Sequence, residues 1–135
     1  MQIKTFQFGT IDFDPGRIIN FPQGIFGFEN LKSFLLIKDD DNLFYWLNSV
    51  EQPDIAFPVI GTRIIDEDYP AENDYEAFTI VTLNNDPLKI TANLKAPVYI
   101  SQNKKNGFQK VIDSEKYPVN FRLFIDVNNY SGERE

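Results

Sequence analysis

Cysteine and histidine are both missing from this chain of 135 residues, and methionine and tryptophan occur once each. Their absence removes any Ser–His or Cys–His nucleophile and any zinc site built from the usual ligands. Disulfides are excluded too, and a chain of this length does not need them, because folding buries roughly two-thirds of its unfolded surface. Neither Gly24 nor Gly27 is followed by Lys-Ser or Lys-Thr, so there is no phosphate-binding loop. The apolar run Phe34-Leu35-Leu36-Ile37 is far too short to span a bilayer. Met1-Gln2-Ile3-Lys4 lacks the charged and apolar regions that open a signal peptide, so the sequon Asn129-Tyr130-Ser131 reads as a chance match. These absences predict a soluble cytoplasmic protein without cofactor, metal or membrane contact.

Aromatic residues are plentiful, with 13 Phe and 6 Tyr. Each fully buried Phe contributes about 1.5–3 kcal/mol, enough for a core without staples. The most telling stretch is Phe21-Pro22-Gln23-Gly24-Ile25-Phe26-Gly27-Phe28-Glu29, where aromatics alternate with turn-makers and only Glu29 ionises. Proline fixes one dihedral and glycine admits positive ones, so the run specifies a bent, packed loop suited to recognition.

Charge is unevenly spread. The net charge is −7, but residues 1–38, 39–86 and 87–135 carry +1, −11 and +3. The middle segment holds Asp39-Asp40-Asp41, Asp66, Glu67, Asp68, Glu72, Asp74 and Glu76, with Arg63 as its single cation. Such a field repels nucleic acid and attracts a basic partner. The plainer reading is a solvated acidic face that aids solubility.

Most segments read as strands. Phe6 and Phe8 alternate on one phase and Ile11 and Phe13 on the other, with a turn at Gly9-Thr10. Asp14-Pro15-Gly16 turns the chain into a strand over residues 17–21. Glu29–Lys32 suits one helical turn. Segments 34–37, 44–48, 56–60, 78–83 and 89–93 follow as strands, with Pro58 predicting an edge or bulge. Phe44-Tyr45-Trp46-Leu47 is apolar on both faces, as in a central barrel strand or one covered by a partner. Segments 98–100 and 108–112 flank Asn106-Gly107, the pair favoured by type I′ hairpin turns. The pattern predicts an all-β fold: a single small, closed, barrel-like antiparallel domain over residues 1–125, with many short strands. Residues 126–135 read as a polar tail that frays. Phe21, Phe28, Phe34, Leu36, Trp46, Val59, Ile80, Leu94 and Ile112 are the expected core.

Few groups could do chemistry. Asp12 and Asp14 share a strand face, and Asp39-Asp40-Asp41 offers oxygens, but without the alternating ligands and glycine of a calcium loop. Lys104, Lys105 and Lys110 beside Tyr99 and Phe108 resemble a stacking platform for nucleic acid. Lysines at a hairpin tip more often guard a sheet edge, and direct nucleic-acid binding is not expected.

The order Phe21–Glu29, then Phe44-Tyr45-Trp46-Leu47-Asn48-Ser49, then Asn93-Leu94-Lys95-Ala96-Pro97-Val98 resembles the FliW family of flagellar assembly factors. Phe8-Gly9-Thr10-Ile11, Asp68-Tyr69, Asn106-Gly107 and Tyr117-Pro118-Val119 extend the likeness from Ile3 to about Leu123. One departure is the segment Pro70–Ala77, where the family usually carries a longer acidic insert. The resemblance implies a non-enzymatic cytoplasmic monomer that binds flagellin and, alternatively, CsrA, the RNA-binding repressor of flagellin translation. It also implies that Asp68, Tyr69, Asn93, Leu94, Ala96 and Pro97 border a protein-binding face. A small-molecule or carbohydrate-binding β-barrel is the competing reading, and a hydrolase using only carboxylates a third. A ligand barrel should turn its aromatics toward a cavity, whereas a partner switch should pack them into the core or a flat face.

Overall fold

Strict alternation sends Phe34 and Leu36 to one side of their strand and Leu35 and Ile37 to the other, and both sides are largely covered. The structure, a computed structural model, describes residues 1–40 and 43–124. Eleven strands are present among them: β1 (Gln2–Thr5), β2 (Gly9–Asp12), β3 (Ile19–Asn20), β4 (Ser33–Lys38), β5 (Tyr45–Ser49), β6 (Ala56–Gly61), β7 (Glu76–Thr82), β8 (Thr91–Ala92), β9 (Val98–Ser101), β10 (Asn106–Gln109) and β11 (Phe121–Arg122). One helical turn, α1 (Thr62–Ile65), follows β6. The proposed tail at 126–135 lies outside the described residues.

Strands β7, β6, β5, β4, β3, β10 and β9 are neighbours in that order, and β9 pairs back onto β7 through Ala77 and Tyr99. The sheet is therefore a closed barrel of seven strands, as the sequence predicts. One pairing departs from the antiparallel expectation: β3 meets β10 in parallel through Asn20 and Asn106. Past Phe78, β7 leaves β9 and pairs with β8 at Val81, and β8 carries β11. The β1–β2 hairpin is a separate two-stranded sheet.

The barrel interior is filled by Phe21, Phe34, Leu47, Val59, Phe78, Val98 and Ile100, with Phe21 and Phe34 in edge contact at 5.2 Å. The telling loop closes this core. Phe21 and Ile25 are buried, while Phe26 and Phe28 reach solvent, so Phe28 is not the core residue expected from its sequence. Trp46 and Ile80 are half-buried. Gly24 has φ +69°, and a Cβ there would lie 2.7 Å from the Cα of Glu29. A main-chain obstacle cannot swing aside, so the tight turn requires glycine.

Several local expectations are corrected. Asn106-Gly107 is not a turn: it lies inside β10, and Gln102–Lys105 makes the hairpin turn, with Lys105 at φ 53°. Glycine is required at 107 because a Cβ would stand 2.4 Å from Cζ of the Phe21 ring. Pro58 sits in an interior strand, but the β6–β7 ladder begins only at Val59, so no β7 residue pairs with it. Phe6 belongs to a turn and is 83% exposed, and residues 15–17 form a 3-10 turn ahead of a strand of only two residues. Glu29–Lys32 is turn and loop rather than helix.

Asp14 and Asp86 explain the two Asp-Pro pairs. Each carboxylate accepts an amide at the start of a 3-10 turn, from Gly16 at 2.9 Å and Leu88 at 3.0 Å. Asp12 faces the terminal ammonium at 3.4 Å, so both carboxylates of the supposed pair have structural partners.

Candidate partner-binding site

The two segments singled out by the sequence, Asp68-Tyr69 and Asn93–Pro97, meet against the outer face of β7 and β9, where Ala77 and Tyr99 point away from the barrel interior. The Tyr69 hydroxyl donates to the Leu94 carbonyl, and Tyr69 packs with Leu94, Tyr99, Ile112 and Tyr117 in a second core cluster. Asn93 shapes its own loop: its side-chain oxygen accepts the amides of Lys95 and Ala96, each at 3.1 Å. Gln109 donates to the Ala96 carbonyl at 2.9 Å, and Lys95 Nζ reaches the carbonyls of Ile112 and Ser114 at 3.2 Å. Tyr69, Leu94, Ala96 and Pro97 are buried and Asn93 is half-buried, so Asp68 is the one of the six that is exposed. Five of them form the frame of the site and Asp68 projects from it.

Sequence reasoning passed over the groups that hold this frame. Arg63, on α1, donates to the carbonyls of Glu67 and Tyr69. Asp66 accepts the Asp68 amide at 3.0 Å and the Tyr117 hydroxyl at 3.0 Å, and Lys116 lies 3.7 Å away. The Asp68 amide and the Tyr117 hydroxyl hold the Asp66 carboxyl below its usual range. Burial, then the neighbouring phenols, pushes the Tyr69 hydroxyl far above its ordinary range. Burial also raises Tyr99, helped by the Glu72 charge, and raises Tyr117, helped by its bond to Asp66.

Tyr69→Phe keeps the ring and removes the hydroxyl, leaving the buried Leu94 carbonyl unpaired. It should cost about 1–3 kcal/mol in denaturant unfolding, with the barrel intact by circular dichroism. A loss below a few tenths of a kcal/mol would show that the hydroxyl does not tie the two loops.

Charge on this face is more balanced than the linear sequence suggests. Glu72 pairs with Lys110, Asp74 with Lys104 at 3.6 Å, and Asp66 with Lys116, so the basic last third lies against part of the acidic middle. The same contacts occupy residues of the supposed nucleic-acid platform. Tyr99 is buried and stacked on Phe108 at 5.2 Å, while Lys104 and Lys110 are engaged with carboxylates and ring faces. Glu67, Asp68 and Glu76 remain on the exposed side.

The aromatics largely pack on one another, as in the Tyr45–Phe78 and Tyr69–Tyr117 contacts at 5.7 and 4.6 Å. That is the arrangement expected of a partner-binding protein rather than of a ligand barrel. No group of three or more acidic side chains that could hold a metal occurs among the described residues.

Residues 2–123 match the family model described as FliW protein. The chain belongs to the FliW family. It is 39% identical to the flagellar assembly factor FliW of Caldicellulosiruptor saccharolyticus, covering 94% of this chain and 93% of that one. It is 35% identical to the factor of the same name from Thermoanaerobacter pseudethanolicus, over 96% and 97% of the two chains. A crystal structure of the flagellar assembly factor FliW superposes with a TM-score of 0.84 at 28% identity, covering 93% of this chain and 99% of that one. The closed barrel is thus the FliW fold. Among the described residues no helix is long and apolar enough to cross a membrane.

Proposed function

We propose that this FliW-family protein is a non-catalytic cytoplasmic switch that binds flagellin and, alternatively, the RNA-binding repressor CsrA. Bound to flagellin it leaves CsrA free to repress flagellin translation. Once flagellin is exported, the released protein captures CsrA and relieves the repression. The family match along nearly the whole chain carries this reading. The direct test is to load the protein with CsrA and titrate flagellin. Displacement of CsrA is the expected result, and simultaneous binding of both partners at full occupancy would refute the alternation.

The contact face is the patch on the outer wall of the barrel framed by Tyr69, Asn93, Leu94, Ala96 and Pro97, with Asp68 at its surface. Its carboxylates act on CsrA partly through charge. A protein that grips RNA depends steeply on the phosphates it neutralises, so negative charge beside its basic surface weakens RNA binding without covering all of it. Glu67→Gln, Asp68→Asn and Glu76→Gln together should leave CsrA binding measurable. With CsrA saturated, RNA should then bind roughly tenfold tighter than in the wild-type complex, the gap closing at high salt. Equal antagonism by both proteins at low salt would reject the electrostatic contribution.

A further inference from the structure

Isolated apolar side chains on a surface are ordinary, and Met1, Phe6 and Val119 need no special account. A different case is the concave groove of about 290 Å³ beside α1. Three remote segments build it: Leu43 and Phe44 before β5, Ile60 and Ile64 around α1, and Phe121 and Phe124 around β11. Leu43 is 57% exposed, Ile64 63%, Phe121 37% and Phe124 42%, so the walls are open to water. Contiguous exposed apolar surface of this kind marks interaction sites.

The rim is acidic. A point above Gly61 lies 3.7 Å from both the Glu76 carboxylate and the Ile64 methyl, which sets Glu76 against the α1 wall. Glu67 and Asp68, both exposed, come shortly after Ile64-Ile65, while the Asp66 carboxylate turns away to Tyr117 and Lys116. Of the cations nearby, Arg63 is held by the carbonyls of Glu67 and Tyr69, Lys38 lies over the Tyr45 ring, and Arg122 lies on β11. A small ligand finds little here: the volume is at the lower edge of ligand sites and the lining is apolar, without converging polar groups.

We infer that this groove docks a protein segment that presents large apolar side chains between lysines or arginines. The inference rests on the partner-switch reading and adds a second surface to its Asp68 face. CsrA, which must carry basic residues to hold RNA, is the partner of matching chemistry and the probe to use.

The full chain is tested as Ile64→Ser and Phe124→Ser, with Phe26→Ser, an exposed residue on the loop bonded to Gln109, as a control away from the groove. Affinities for CsrA and for flagellin are measured separately. Each groove variant should weaken CsrA about tenfold with an unchanged melting temperature, and the control should not. Glu76→Gln should weaken CsrA at low salt only. If the wild type binds neither partner, the switch reading itself falls. If the wild type binds both and the groove variants bind CsrA as tightly, only the groove assignment falls. Loss of flagellin alone would overturn the basic occupant. A marked drop in melting temperature for Ile64→Ser would show the groove filled by the chain itself, and loss of a dimer would show a second copy there; either overturns the inference.

Discussion

Gly107→Ala should lower the melting temperature by roughly 5–10 °C, a large effect for one methyl group. The added carbon would stand 2.4 Å from Cζ of Phe21, whose ring is fully buried. Phe34 blocks that ring in edge contact at 5.2 Å, so it cannot simply swing away. Overpacking of this sort costs about 1–3 kcal/mol. Phe21→Leu alone should also destabilise, by loss of packing. In the double variant the smaller side chain makes room for the methyl, so the two losses should fall short of additivity by roughly 0.5–3 kcal/mol in denaturant titrations. Strict additivity would mean that the close approach of Gly107 to Phe21 is not what requires glycine there.

Raising the pH above about 10 should bring on steep unfolding, because three phenols clustered on the outer wall of the barrel are held protonated. Tyr69, Tyr99 and Tyr117 all have folded-state pKa values above the ordinary 10.0. The folded state therefore keeps protons that the unfolded chain gives up. The associated stability is intact below pH 10 and is lost as pH climbs through the folded values. Denaturant midpoints measured from pH 8 upward should stay level and then fall, with tyrosinate absorbance appearing together with unfolding. Tyr69→Phe should start lower and decline less steeply. Tyrosinate absorbance that rises fully near pH 10 in a folded protein would show the phenols to be freely ionisable.

Legibility in the sequence followed the range of the interactions. The strands β4 to β7 were readable because alternation and β-branched residues report a strand's own two faces. Asn106-Gly107 misled because a local turn signal and a remote packing demand call for the same residue. Phe21, far away in sequence, decides between them, and a turn with Lys105 at φ 53° serves instead. Phe28 looked as apolar as Phe21, yet its ring lies on the outer side of the loop against Phe57 at 5.1 Å. The site was half legible. The two segments could be marked, but the bond that joins them and the one that braces them link residues 25 and 51 positions apart, Tyr69 to Leu94 and Tyr117 to Asp66. Only the fold could show that most of the marked residues are frame and that Asp68 is surface.

The parallel contact between β3 and β10 has a kinetic meaning. The Phe26 amide and the Gln109 side chain, which fasten the plugging loop to that same strand, are 83 positions apart. Contacts of such separation form late and slow folding. As the chain leaves the ribosome, β3 to β6 therefore wait as an open meander, with Ile19 and Phe21 uncovered and strand edges exposed to other chains. A chain that stops short of β10 cannot seal the ring. It becomes a client for chaperones and proteases, not a weaker version of the finished protein.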